Sequence, residues 1–172
     1  MAIPIRQNVK RALAVLLGLT AFLMSGVATS NISVIAPTFD LQGEKGRISL
    51  ESYRGRVVYV DFWASWCVAC KTSFPWMNDV HARYVDQGLE IVAINLGEQP
   101  ADAKKFLEHT RPQFTIAYDP EGTSAVDYRV KAMPSSYLVG RNGELIWQHF
   151  GFRSKDTDVI EAQIRSALKE DQ

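Results

Sequence analysis

Two stretches of the chain are apolar at nearly every position: Val57-Val58-Tyr59-Val60-Asp61-Phe62-Trp63 and Leu89-Glu90-Ile91-Val92-Ala93-Ile94-Asn95. Runs this short, rich in β-branched and aromatic residues, predict strands buried on both faces at the centre of a sheet. Between them the pattern predicts a helix from the cysteines at 67 and 70 to about Gln87, with Gly88 as its C-terminal cap and Pro75 kinking it. Pro100 to His109 reads as a helix, Phe114 to Ala117 as a short strand and Glu121 to Tyr128 as a short helix. Ser136–Val139 and Leu145–Gln148 flank Arg141-Asn142-Gly143-Glu144, and Asn-Gly between apolar runs is a strong hairpin signal. Residues 156–169 form an amphipathic closing helix with Val159, Ile160, Ile164, Ala167 and Leu168 on its apolar side. Ahead of the first buried strand, Asn31 to Arg56 is a loop-rich lead-in broken by glycines at 43, 46 and 55, with strand candidates at Thr38–Leu41 and Arg47–Leu50. The order β-α-β-α-β-α-β-β-α describes an α/β domain. Parallel strands joined by helices end in an antiparallel hairpin, making a central mixed sheet flanked by helices with an N-terminal β extension.

The first thirty residues follow a different pattern. Lys10-Arg11 closes a basic start, Ala12 to Met24 is an apolar run, and Ser25-Gly26-Val27-Ala28-Thr29-Ser30 supplies small residues suited to cleavage. Residues 1–30 therefore read as an export signal, either cleaved or kept as a membrane anchor through residues 12–28, and residues 31–172 as the exported domain. Either way the basic end stays cytoplasmic and residues 31–172 are exported.

Charge removes one class of partner. The 172 residues hold 19 Lys and Arg and 19 Asp and Glu. Three of the basic groups, Arg6, Lys10 and Arg11, fall in the leader, which has no acid, so residues 31–172 carry 16 basic against 19 acidic groups. Nothing here favours nucleic acid.

The chain has two cysteines, in Cys67-Val68-Ala69-Cys70. At the start of a helix, outward-pointing N–H groups and the helix dipole stabilise a thiolate, so the first cysteine has a lowered pKa. The second lies about one turn on, within reach of a disulfide. The pair suits thiol–disulfide exchange, with Cys67 attacking a substrate disulfide and Cys70 resolving the mixed disulfide. A zinc site would need about four ligands, and His81, His109 and His149 are scattered; covalent haem would need His at 71, which is Lys. No metal and no cofactor beyond the cysteine pair is expected.

Val60-Asp61-Phe62-Trp63-Ala64-Ser65-Trp66-Cys67-Val68-Ala69-Cys70-Lys71 resembles the thioredoxin active-site segment, and the lead-in Ala36-Pro37-Thr38-Phe39-Asp40-Leu41 with Leu50 and Gly55 is similar to the TlpA/ResA-like extracytoplasmic thiol–disulfide oxidoreductases. The resemblance covers about residues 36–168 and implies a thioredoxin fold. It also implies the bacterial periplasm or the outer face of the inner membrane as the location, protein substrates bearing disulfides, often in cytochrome c maturation or copper-centre assembly, a membrane electron donor of the DsbD/CcdA kind, and a monomer. Met133-Pro134 matches the family's cis-proline, with Met133 offering its backbone to substrate; Trp66, Val68 and Ala69 complete the implied binding surface. Asp61 matches the buried aspartate that helps deprotonate the second cysteine, and its strand should desolvate it and raise its pKa.

The chain also departs from that pattern. Ser73 stands where cytochrome-maturation members often have Glu, leaving Asp61 to handle the proton. Ile94 stands where thioredoxin places a lysine beside its aspartate, and Glu98 lines up with a possible second acid. Trp76 flanks the cysteines or belongs to the core. A non-catalytic binding module remains the competing reading. A peroxidase of the peroxiredoxin group would need a Pro-x3-Thr-x2-Cys pattern, which is absent.

Overall fold

The computed structural model describes residues 33–97 and 99–170. The expected leader, residues 1–30, and the possible second acid Glu98 lie outside them. Seven strands form one sheet: β1 (Asp40–Gly43), β2 (Gly46–Ser49), β3 (Val57–Trp63), β4 (Leu89–Asn95), β5 (Thr115–Tyr118), β6 (Ser135–Val139) and β7 (Leu145–Phe150). Their spatial order is β2-β1-β5-β4-β3-β6-β7. The β3–β4 and β4–β5 pairs are parallel, and β3–β6, β6–β7, β1–β5 and β1–β2 are antiparallel. This is the mixed sheet with an N-terminal β extension that the residue pattern predicts.

Both apolar runs fall where their composition points. All seven residues of β3 are buried between β4 and β6, and six of the seven in β4 are buried. Side chains alternate between two apolar layers. On one face Val57, Tyr59 and Trp63 pack with both cysteines and with helices α1 (Val68–Tyr84), α2 (Pro100–Thr110) and α4 (Thr157–Lys169). On the other, Val58, Val60 and Phe62 pack with Ile94, Tyr128, Tyr137 and the lead-in residues Ala36, Phe39 and Leu50. The lead-in thus closes the second face.

Several expected boundaries move. The lead-in strands start later than Thr38 and earlier than Arg47, and Leu50 opens a 3-10 turn instead of ending a strand. The short helix α3 covers only Thr123–Asp127. Its start is set by buried Asp119, which accepts from the backbone N–H and hydroxyl of both Thr123 and Ser124. Helix α1 runs on past Pro75 to Tyr84, and a 3-10 turn over Val85–Gln87 leads to Gly88 at φ 95°. The β6–β7 hairpin turns through Gly143 at φ 84°, where an added Cβ would strike the Arg54 guanidinium. Val159 is not on the buried side of α4: it is 56% exposed, while Ile160, Ile164, Ala167 and Leu168 are buried. Those four repeat at i, i+4, i+7 and i+8, one stripe of a helix, and Val159 sits about 100° around from it.

Candidate redox site

Strand β3 ends at Trp63, and the chain turns through Ala64, Ser65 and Trp66 into α1. Cys67 is the N-cap of that helix: its Sγ accepts from the Cys70 backbone N–H at 3.2 Å. The two sulfurs are joined in a disulfide across a Cα–Cα distance of 5.3 Å. Cys67 is buried except for a thin edge and Cys70 completely, while Trp66 and Val68 beside them are 70% and 77% exposed. Ala69 is half-buried and packs on the cluster that holds both cysteines. Solvent therefore meets an apolar rim with Cys67 set into it.

Met133 packs against the same cluster, and the Met133–Pro134 peptide bond is cis. The Pro134 carbonyl accepts from Gly151 N–H at 2.7 Å, which ties this turn to the end of β7. The expected substrate-binding residues Trp66, Val68, Ala69, Met133 and Pro134 are thus held by two rigid attachments, the α1 start and the β6 entry. Trp66 also lines an open cleft of about 510 Å³ together with Ser65, Lys71, Lys105, Phe106 and His109.

Asp61 leaves β3 on the face it shares with Tyr59 and Trp63, the face that α1 covers. It is 1% exposed. Ser136 Oγ donates to its Oδ1 at 2.8 Å, and Oδ2 has no partner. Burial pushes the carboxyl up from 3.8 to about 7, against a smaller opposing effect of the Ser136 hydrogen bond. Tyr59, two residues back, is raised as well, first by burial and then by the neighbouring Asp61 charge.

The structure corrects the expected neighbour of Asp61. Ile94 is level with Phe62 and lies in the opposite apolar layer; the β4 residue level with Asp61 is Ala93. A shift of one residue reverses the face of a strand position, so a motif alignment in this segment misassigns the side. Ser73 is buried and its hydroxyl donates to the Cys70 carbonyl at 3.2 Å. Trp76 is a packing residue, edge-on to Tyr59 at 6.0 Å and tilted against Phe152 at 5.3 Å. Among the described residues, no group of three or more His, Cys, Asp or Glu side chains gathers as a metal site.

Sequence reading missed Ser136. A small hydroxyl residue in a short strand carries no signal of its own; only the β3–β6 register puts it level with Asp61.

Comparison with known proteins agrees with this geometry. The AhpC/TSA family profile matches residues 32–148. The thiol-disulfide oxidoreductase ResA of Geobacillus kaustophilus (strain HTA426) is 37% identical over 113 residues, 64% of each chain. The chain thus spans just under two thirds of that relative. The ResA of Bacillus subtilis (strain 168) is 30% identical over 145 residues, 83% of this chain and 81% of that one. Among solved structures, a Chlorobium tepidum protein described as thiol:disulfide interchange protein DsbE superposes with a TM-score of 0.78 at 47% identity, covering 79% of this chain and 96% of its own.

Proposed function

The chain belongs to the AhpC/TSA family, and from that premise we propose that it is a thiol–disulfide oxidoreductase that reduces disulfides of extracytoplasmic proteins through Cys67 and Cys70. The observation that carries this reading is the N-cap position of Cys67, whose sulfur accepts a helix N–H and sits in an exposed apolar rim. A thiolate there is stabilised by the helix end, so the reduced protein has its nucleophile ready at neutral pH.

Cys67 attacks a substrate disulfide and forms a mixed disulfide, releasing one substrate thiol. Cys70 then attacks Cys67 Sγ, closes the internal disulfide and releases the second. Trp66, Val68 and Ala69 offer apolar contact to the substrate chain, and the Met133 backbone beside Pro134 offers it strand-like hydrogen bonds. Asp61 takes the Cys70 proton; a carboxyl poised near neutrality can accept and return it.

The basic-apolar leader supports a periplasmic location, and the likeness to ResA and DsbE proteins supports action on protein disulfides; the reductive direction and a membrane electron donor of the DsbD/CcdA kind complete this reading. The substrates proposed are apocytochrome c or copper-centre assembly proteins, and the acting form is a monomer. Glu98 as a second acid belongs to the same proposal.

Trapping tests it. Cys70→Ser keeps the attacking thiol and removes the resolving one, so the protein expressed in its own host should accumulate mixed disulfides on non-reducing gels that dithiothreitol collapses. Cys67→Ser should trap few or none. Adducts carrying Cys-x-x-Cys-His would place it in cytochrome c maturation, and adducts with a copper-binding Cys-x3-Cys protein in oxidase assembly. No adducts from Cys70→Ser, with no insulin reduction by the wild type, would favour a non-catalytic binding module.

A further inference from the structure

Buried Asp61 has an unequal pair of oxygens: Oδ1 is held by Ser136 Oγ at 2.8 Å and Oδ2 is free. We infer that Ser136 is a positioning residue for the proton step at the second cysteine, tying down Oδ1 so that Oδ2 is the one oxygen that exchanges a proton with Cys70. This rests on the proposed role of Asp61 as proton acceptor and adds the residue that orients it.

The placement comes from the backbone. In the antiparallel β3–β6 pair Asp61 stands level with Ser136, so both side chains leave the sheet on the face covered by α1 and its two cysteines. Ser136 is itself buried and lies two residues after Pro134, so the strand start that carries the cis peptide also carries the hydroxyl. The opposite neighbour, Ala93 on β4, offers no side-chain donor. Asp61 thus has one donor on its own sheet face, and a carboxylate with one oxygen anchored cannot rotate freely between its two proton sites.

Other titratable groups face the same region. They are Tyr59 on β3, Cys67 and Cys70 on α1, and His149 on β7, which is level with Ser136. His149 Nε2 lies 3.6 Å from Asp156 Oδ2, a carboxylate also held by Arg153. From α4 the core receives only apolar side chains, Ile160 and Ile164 among them.

The step balances within the protein and its substrate. In the mixed disulfide the Cys70 S–H bond breaks and its proton goes to Asp61 Oδ2. Cys70 sulfur attacks Cys67 Sγ, the Cys67–Cys70 bond forms, and the Cys67–substrate bond breaks. The departing substrate thiolate takes up a proton, and the two electrons come from the protein's own thiol pair.

A hydroxyl bonded to Oδ1 favours the carboxylate and so opposes the effect of burial. Losing it should raise the pH at which Asp61 becomes able to accept a proton. The test measures resolution of the Cys67 mixed disulfide with glutathione by stopped flow from pH 5 to 9 in the full chain. Ser136→Ala should move the acid-limb midpoint up by about half to one pH unit and slow resolution near pH 6 by roughly 3- to 10-fold. Ser136→Thr, which keeps the hydroxyl, should hold the wild-type midpoint. In an Asp61→Asn background the acid limb should vanish, and Ser136→Ala should add nothing. Should the alanine variant not fold, Ser136→Val against Ser136→Thr makes the same comparison at matched size. Equal midpoints with and without the hydroxyl would overturn the inference while leaving Asp61 in place. An unchanged pH profile in Asp61→Asn would instead remove Asp61 as the acceptor.

Discussion

Asp61 is the carboxylate of a strand in which every residue is buried, and its desolvation makes the stability of the whole domain depend on pH. In the unfolded chain the group ionises near 3.8, whereas in the fold it does so at about 7. Well below pH 3.8 it is neutral in both states and carries no penalty. As pH rises from there to 7, the unfolded chain gives up its proton while the fold keeps it, and stability is lost until both have ionised. A displacement of about three units corresponds to a penalty on the order of 4 kcal/mol above pH 7. Asp61→Asn should therefore raise the urea midpoint of the oxidised protein at pH 8 and lose most of that advantage at pH 4.5. Equal midpoints at pH 8 would show that the carboxyl is not desolvated. That a costly group persists in this strand is consistent with its use in proton transfer.

At the level of elements, the site depends on how α1 is seated. Phe74, one turn past Cys70, is fully buried. It meets Trp63 at 5.1 Å, Phe106 of α2 at 4.8 Å and Phe114 at 5.4 Å, so one side chain joins α1 to β3, α2 and the approach to β5. Phe74→Ala should destabilise the protein by about 3–5 kcal/mol, read from chemical denaturation, because the aromatic cluster cannot collapse around the hole. A loss under about 1 kcal/mol would mean that the helix is seated by its other contacts. The second attachment, the β6 entry with Pro134, is carried by the β6–β7 hairpin, whose Asn142-Gly143 turn is plain in the sequence. The start of helix α3 has no local sequence signal because it depends on a side chain four residues upstream: Asp119 ties down the N–H groups of Thr123 and Ser124.

For the molecule as a whole, the sheet, both apolar layers and both halves of the redox site described above are built from residues between 33 and 170. A chain beginning at Ser33 should accordingly fold with an unchanged thermal midpoint and reduce insulin disulfides with dithiothreitol at the rate of the longer chain. A drop of more than a few degrees would mean that residues before 33 contribute to the fold.

Order and chemistry along the chain were readable from local pattern. Val57–Trp63 and Leu89–Asn95 have the composition of strands at a sheet centre, and a cysteine pair spaced one turn apart at a helix start suits thiol–disulfide exchange. Even the burial of Asp61 could be inferred, since its neighbours on the strand are apolar. Which residues meet across strands was not readable, because register belongs to the pairing of segments far apart in the chain and a one-residue slip changes the face. Hence the family pattern points to Ile94 beside Asp61 where the structure has Ala93, and helical periodicity points Val159 to the core where it faces solvent. Ser136, seventy-five residues from Asp61 in the chain, became its hydrogen-bond partner only when β6 paired with β3.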